Sequence, residues 1–175
     1  MTDYTQITLA KTTAILTKTT TIAALILALA ISMNARAAEV TTQHVLTLDA
    51  ARTVIAAAEA EALQKGWPCV IAVTDSAGYL IALDRMDASP MLASVELAPA
   101  KARTAALFRK PSKALEDAIH AGRTAAVTAG YVEMSGGLPL IVNGEIVGAI
   151  GVSSAQPDWD AAIAAAGAGV LAARH

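Results

Sequence analysis

Ser135-Gly-Gly-Leu-Pro-Leu-Ile-Val-Asn-Gly-Glu-Ile-Val-Gly-Ala-Ile-Gly-Val-Ser-Ser154 holds five glycines around two apolar runs. Asn143-Gly144 between the runs is a strong hairpin signal, because both central positions of a type I′ turn need positive φ. The hairpin accounts for one glycine. Gly136 and Gly137 precede the first run, and Gly148 and Gly151 interrupt the second, where glycine weakens a strand unless a bulge or a close backbone approach requires it. The Gly136-Gly137 pair has two readings. Its exposed N–H groups could contact an anion or a flat ligand, or it is a tight bend that enters the hairpin with Pro139 at a strand edge. Gly148 and Gly151 read as sites of helix packing or a bulge.

Working outward from this hairpin, residues 157–173 are alanine-rich and helical in pattern, with Asp158 as a cap and Asp160 near the positive end. Upstream, residues 131–134 suit a short strand. Residues 113–128 predict a helix with Ser112 as N-cap and Glu116-Asp117 in its early turns. The spacing from Met91 to Phe108 is also helical, with Pro99 either starting the main helix or kinking it. Residues 68–74 and 79–83 form a first hairpin around Asp75-Ser76-Ala77-Gly78. A first amphipathic helix starts after Thr47-Leu48-Asp49 and stops at Lys65-Gly66. Hairpins separated by helices imply an α+β fold, an antiparallel sheet covered by helices.

The chain has 175 residues, which suits a single domain. Aromatics make up 3% of a composition that is 55% hydrophobic, so Ala, Val, Ile and Leu must build the core. With a net charge of −2 and basic residues without interleaved aromatics, nucleic-acid binding is not expected. Lys11 and Lys18, the apolar run from Thr21 to Ser32, and Ala35-Arg36-Ala37 read as a secretory signal peptide over residues 1–37. The mature domain then spans 38–175, and the protein is periplasmic or secreted, with no stable membrane insertion after leader removal. Cys69 is the single cysteine, which excludes an intramolecular disulfide, and its apolar neighbours suggest a buried strand thiol.

Four segments taken together resemble the GlcG/HbpS family of haem-binding or haem-degrading proteins, which includes the C-terminal domain of PduO-type proteins. They are Val70 to Asp75 with Gly78 and Ile81 to Asp87; Lys101-Ala-Arg-Thr-Ala-Ala106; Ser135-Gly-Gly-Leu-Pro-Leu140; and Gly144 to Ser153. The resemblance covers nearly all of the mature chain. It implies a profilin-like fold with a five-stranded antiparallel sheet between helical layers, and homo-oligomers that are often octameric. The family usually has Ser-Gly-Gly after Gly-Val, whereas here Ser153 is followed by Ser154-Ala155, a loop less free to adopt positive φ.

The resemblance and the residue chemistry together give an exported, oligomeric protein that binds haem or a related tetrapyrrole, with haem degradation as an attached activity. The ligand-binding candidates are Arg85, Asp87, Lys101, Gly136, Gly137 and Ser153. A haem propionate needs a fixed cation, and Arg85 offers a planar fork and Lys101 a point charge. The alternative for Arg85 is a pairing with Asp87 or Asp75 that pins a loop. Among the histidines, His120 on the central helix is the candidate iron ligand, while His44 and His175 read as exposed. The rival function is a small-molecule isomerase, hydratase or lyase, or an accessory protein, acting on a carboxylated metabolite held by the same cations. HExxH, CxxC, GxSxG and Walker A patterns are absent from the sequence.

Overall fold

A computed structural model describes residues 40–172. The signal-peptide expectation for residues 1–37 falls outside them. In order, the elements are α1 (Leu48–Lys65), β1 (Val70–Asp75), β2 (Leu80–Arg85), α2 (Ser94–Phe108), α3 (Lys113–His120), a 3-10 turn (Thr124–Ala129), β3 (Gly137–Val142), β4 (Glu145–Ser153) and α4 (Pro157–Ala172).

Local chemistry explains most boundaries. The Thr47 hydroxyl accepts the Ala50 N–H at the start of α1, and Gly66 ends the helix in the left-handed region at φ 68°. Asp75 Oδ1 accepts the N–H groups of Ala77 and Tyr79, closing the first hairpin with Gly78 at φ 79°. Asn143 and Gly144 take φ 51° and 80°, as a type I′ turn requires. The helix expected over 113–128 is broken, because Gly122 adopts φ 101° and the chain resumes as the 3-10 turn.

The strands form one antiparallel sheet in the order β2-β1-β4-β3. It has four strands, not five. The missing strand is the one expected at 131–134, and side chains have taken over its backbone groups. Ser112 Oγ donates to the Met134 carbonyl at 2.6 Å, and Glu116 Oε2 accepts the Ser135 N–H at 3.0 Å. With those groups satisfied away from β3, no ladder forms there. Ser112 accordingly does not cap α3 with its side chain.

Helices cover both faces of the sheet. On one face Val54, Ile55 and Ala58 of α1 and Ile163 and Ala164 of α4 pack on Ile71, Val73, Leu140, Ile150 and Val152. On the other, α2 lies on the sheet through small side chains, with Ala98 against Val70 and Ala72 and Ala102, Ala105 and Ala106 against Ala149. Gly151 makes this approach possible, since a Cβ there would strike the Ala98 carbonyl oxygen and the Ala102 nitrogen. Helix backbone thus rests on strand backbone. Trp67 and Trp159 stack at 5.0 Å between ring centroids, joining the end of α1 to the start of α4. Among the described residues no helix is long and apolar enough to cross a membrane.

Candidate functional site

Four of the sequence candidates meet in one buried knot. Lys101 is only 2% exposed, and its Nζ lies 2.7 Å from Asp160 Oδ2 and 3.1 Å from the Val152 carbonyl. Asp160 Oδ1 accepts the Ser154 N–H at 2.6 Å and the Ser154 hydroxyl at 2.5 Å. Ser154 stands where the resembling family has glycine, and its hydroxyl supplies Asp160 with a partner that glycine lacks.

Gly136 and Gly137 close over this pair. The Gly136 carbonyl accepts the Val152 N–H at 3.0 Å, and a Cβ on Gly136 would meet the Val152 carbonyl at 2.6 Å and Asp160 Cβ at 2.7 Å. Gly136 also has φ 112°, which glycine adopts without strain. The Gly137 N–H donates to Ser112 Oγ at 2.8 Å, and a Cβ on Gly137 would strike the Lys101 carbonyl. Ser153, fully buried, bonds Ser94 Oγ at 3.0 Å. The knot ties α2, α4 and the ends of β3 and β4 together. The bend reading of Gly136-Gly137 describes this geometry.

Arg85 and Asp87 lie elsewhere. Arg85 is exposed at the end of β2, in register with Val70, which pairs on its other side with Ser153. Asp87 is exposed and lines a shallow hollow with Trp67 and Met86. Among the described residues the ion pairs between permanently charged groups are Lys65–Glu61, Lys101–Asp160 and Lys113–Asp117, and His44 lies beside Glu145, so Arg85 pairs with neither Asp75 nor Asp87. His120 is exposed at the end of α3. His175 lies outside the described residues.

His44 is exposed, as its sequence position suggests, with 65% of its side chain open to solvent. Its Nδ1–H nonetheless donates to Glu145 Oε2 at 2.6 Å, a contact across 101 residues of chain. Beside it opens a cleft of about 220 Å³ walled by Leu46, Ala50, Val142, Val147 and Leu171. Among the described residues Nε2 has no hydrogen-bond partner. A neutral imidazole with one ring nitrogen held by a carboxylate keeps the other nitrogen as a lone-pair donor, which is the arrangement a metal-ligating histidine uses. A second pocket, about 210 Å³, lies under the excursion between α2 and β3 and contains Phe108, Leu115, Lys110, Arg123 and Glu133. No grouping of three or more His, Cys, Asp or Glu side chains able to hold a metal ion occurs among the described residues.

Sequence reasoning missed Glu145, Asp160 and Glu133, and passed over His44. The only signal near any of them was the position of Asp160 in the first turn of a helix. His44 and Glu145 carry no shared motif.

Comparison with known proteins agrees with this architecture. The family model for HbpS-like haem-degrading proteins matches residues 46–169. Protein GlcG of Escherichia coli K12 is 43% identical over 113 residues, covering 64% of this chain and 84% of its own. Among solved structures, a double mutant of HbpS from Streptomyces reticuli superposes with a TM-score of 0.70 at 33% identity, covering 78% of this chain and 94% of that one. A PduOC:haem complex superposes at 0.66 with 26% identity, covering 73% and 96%. The match over residues 46–169 and the agreement in fold lead to one assignment: the chain belongs to the HbpS-like family.

Proposed function

We propose that this protein binds haem, or a closely related tetrapyrrole, on the open apolar cleft beside His44. The observation that carries the reading is the His44–Glu145 pair: one nitrogen is fixed at 2.6 Å, and the other is directed to no protein partner among the described residues. Family membership and a solved haem complex of a similar protein support the ligand class. The carboxylate orients the imidazole, and the wall of Leu46, Val142, Val147 and Leu171 covers one side of the bound ring. Haem, when bound, supplies redox chemistry at iron, and degradation would use that chemistry with the chain providing orientation. At about 220 Å³ the cleft is smaller than sites that enclose drug-sized ligands, so part of a tetrapyrrole would stay uncovered by one chain.

Visible spectroscopy of protein titrated with haemin tests this. Wild type and His120→Ala should give the same saturable Soret shift, His44→Ala should lose the axial-ligand signature, and Glu145→Gln should weaken binding roughly 10- to 100-fold. A His44→Ala spectrum identical to wild type would overturn the assignment. Export is part of the same reading: residues 1–37 serve as the leader, and N-terminal sequencing of the exported form should begin at Ala38 or Glu39. Finding Met1 there would remove the cleavage claim.

A further inference from the structure

Glu133 is an anomaly. It is 9% exposed, belongs to none of the ion pairs among the described residues, and has no side-chain hydrogen bond there. A carboxylate on a residue this buried ordinarily has a protein partner, whereas here its oxygens keep only a narrow contact with solvent, since the fully sealed unpartnered side-chain atoms among the described residues are Thr74 Oγ1 and Ser89 Oγ. Its backbone neighbourhood is fixed rather than loose, because Ser112 Oγ holds the next carbonyl, at Met134, and Glu116 holds the Ser135 N–H. Glu133 lines the 210 Å³ pocket together with Phe108, Leu115 and Ala126. Tyr131 packs edge-on against Phe108 with centroids 5.0 Å apart, which steadies that wall. Lys110 and Arg123 line the same pocket, and neither comes within salt-bridge distance of Glu133. An isolated carboxylate, two uncommitted cations and an apolar floor therefore share one hollow.

We infer that this pocket is a second ligand site, for a small carboxylate that also carries a hydrogen-bond donor: a hydroxy acid or amino acid with a short apolar chain. The donor meets Glu133, the carboxylate meets Arg123 and Lys110, and the chain lies against Phe108 and Leu115. A volume of 210 Å³ corresponds to about seven waters at roughly 30 Å³ each, room for a ligand of about seven to ten non-hydrogen atoms. The inference is independent of the haem reading, which concerns the His44 cleft, so either can fail alone.

Calorimetric titration of the full chain with four matched probes tests it. These are 2-hydroxy-4-methylpentanoate, L-leucine, 4-methylpentanoate without the donor, and 4-methylpentane-1,2-diol without the carboxylate. The first two should bind saturably, and loss of the donor or the carboxylate should weaken binding about 10- to 100-fold. Glu133→Gln separates the two sources of donor. Its amide oxygen still accepts from a hydroxyl, so the hydroxy acid should lose less than about 10-fold while leucine, which needs a counter-charge, loses about 10- to 100-fold. Arg123→Gln, at an exposed position where folding is not at stake, should weaken both acids and leave the diol unchanged. Absence of saturable binding by all four probes, equal affinity for the acids with and without the donor, or acid binding indifferent to Arg123→Gln would each overturn the inference. If Glu133→Gln fails to fold, the donor-free probe and the Arg123 variant still decide.

Discussion

Replacing Lys101 by methionine should destabilise the protein by about 3–5 kcal/mol, the usual loss when one partner of a buried ion pair is removed. At the observed 2.7 Å, and with an effective dielectric constant of about 20, the pair attracts by roughly 6 kcal/mol, while desolvating each ion costs several kcal/mol. The net value of the pair is therefore modest. The loss comes from leaving a charge buried without its counter-charge, because in Lys101→Met Asp160 Oδ2 keeps no partner while Oδ1 keeps the two bonds from Ser154. Methionine preserves most of the apolar stem, so packing changes little. Asp160→Asn alone should also destabilise, by leaving the ammonium with the Val152 carbonyl as its remaining contact. The double variant should be more stable than the sum of the single losses predicts, with a coupling of about 2 kcal/mol or more. Urea unfolding followed by circular dichroism, at one protein concentration for all four proteins, measures this. A Lys101→Met protein within about 0.5 kcal/mol of wild type, or additive single effects, would refute the keystone role. If that variant instead kept its stability and lost haemin affinity, the ammonium would belong to a ligand.

Glycine positions should respond according to their surroundings. Gly151→Val should destabilise at or beyond the top of the roughly 1–3 kcal/mol range for overpacking, because the obstruction is helix backbone. Gly169→Ala, in α4 with open space around it, should stabilise by about 0.4–1 kcal/mol; the reverse order in thermal melts would refute the packing argument. Burial, helped by the Asp160 and Glu59 carboxylates, pushes the Cys69 thiol from 9.0 up to about 12. The folded chain keeps that proton where the unfolded chain loses it. This contribution is therefore full below pH 9 and falls between pH 9 and 12 by up to about 1.4 kcal/mol per pH unit. Cys69→Ala should flatten that part of the stability profile, and parallel profiles would contradict it. We also expect a homo-oligomer, on family resemblance and on exposed Tyr79, Leu80 and Leu92. Light scattering should give a mass well above that of the monomer, and a monomer at micromolar concentration would remove the expectation.

Where the fold was legible, the controlling residues act on their own neighbours. Thr47, Gly66, the Asp75 turn and Asn143-Gly144 each fix backbone geometry within four residues, and such effects are written locally. Two of the three departures share a cause, the third being the break of the expected 113–128 helix at Gly122. Ser112 has the look of an N-cap, and residues 131–134 have the look of a strand, yet Ser112 Oγ bonds Met134 and Gly137, which lie 22 and 25 residues away. One long-range hydroxyl thus cancels both a cap and a strand. No periodicity records it.

The site was less legible for the same reason, since its polar groups find partners 59 and 101 residues distant. Lys101 looked like a cation in a small, apolar segment, and what surrounds it follows from the glycines of the opening stretch. Gly137 and Gly151 let α2 settle onto strand backbone, and that closeness carries Lys101 into a space where only an ion-pair partner makes its charge tolerable. Asp160 is that partner, and Ser154 completes it. A sheet covered so tightly on its α2 face leaves little room for a flat ligand at the Gly136-Gly137 bend. Ligand chemistry is then expected at the margins, where polar groups keep unused capacity. Among the described residues His44 Nε2 beside an apolar cleft and Glu133 in its own pocket are two such groups that line a cavity, and neither is used by the packing that the glycines specify.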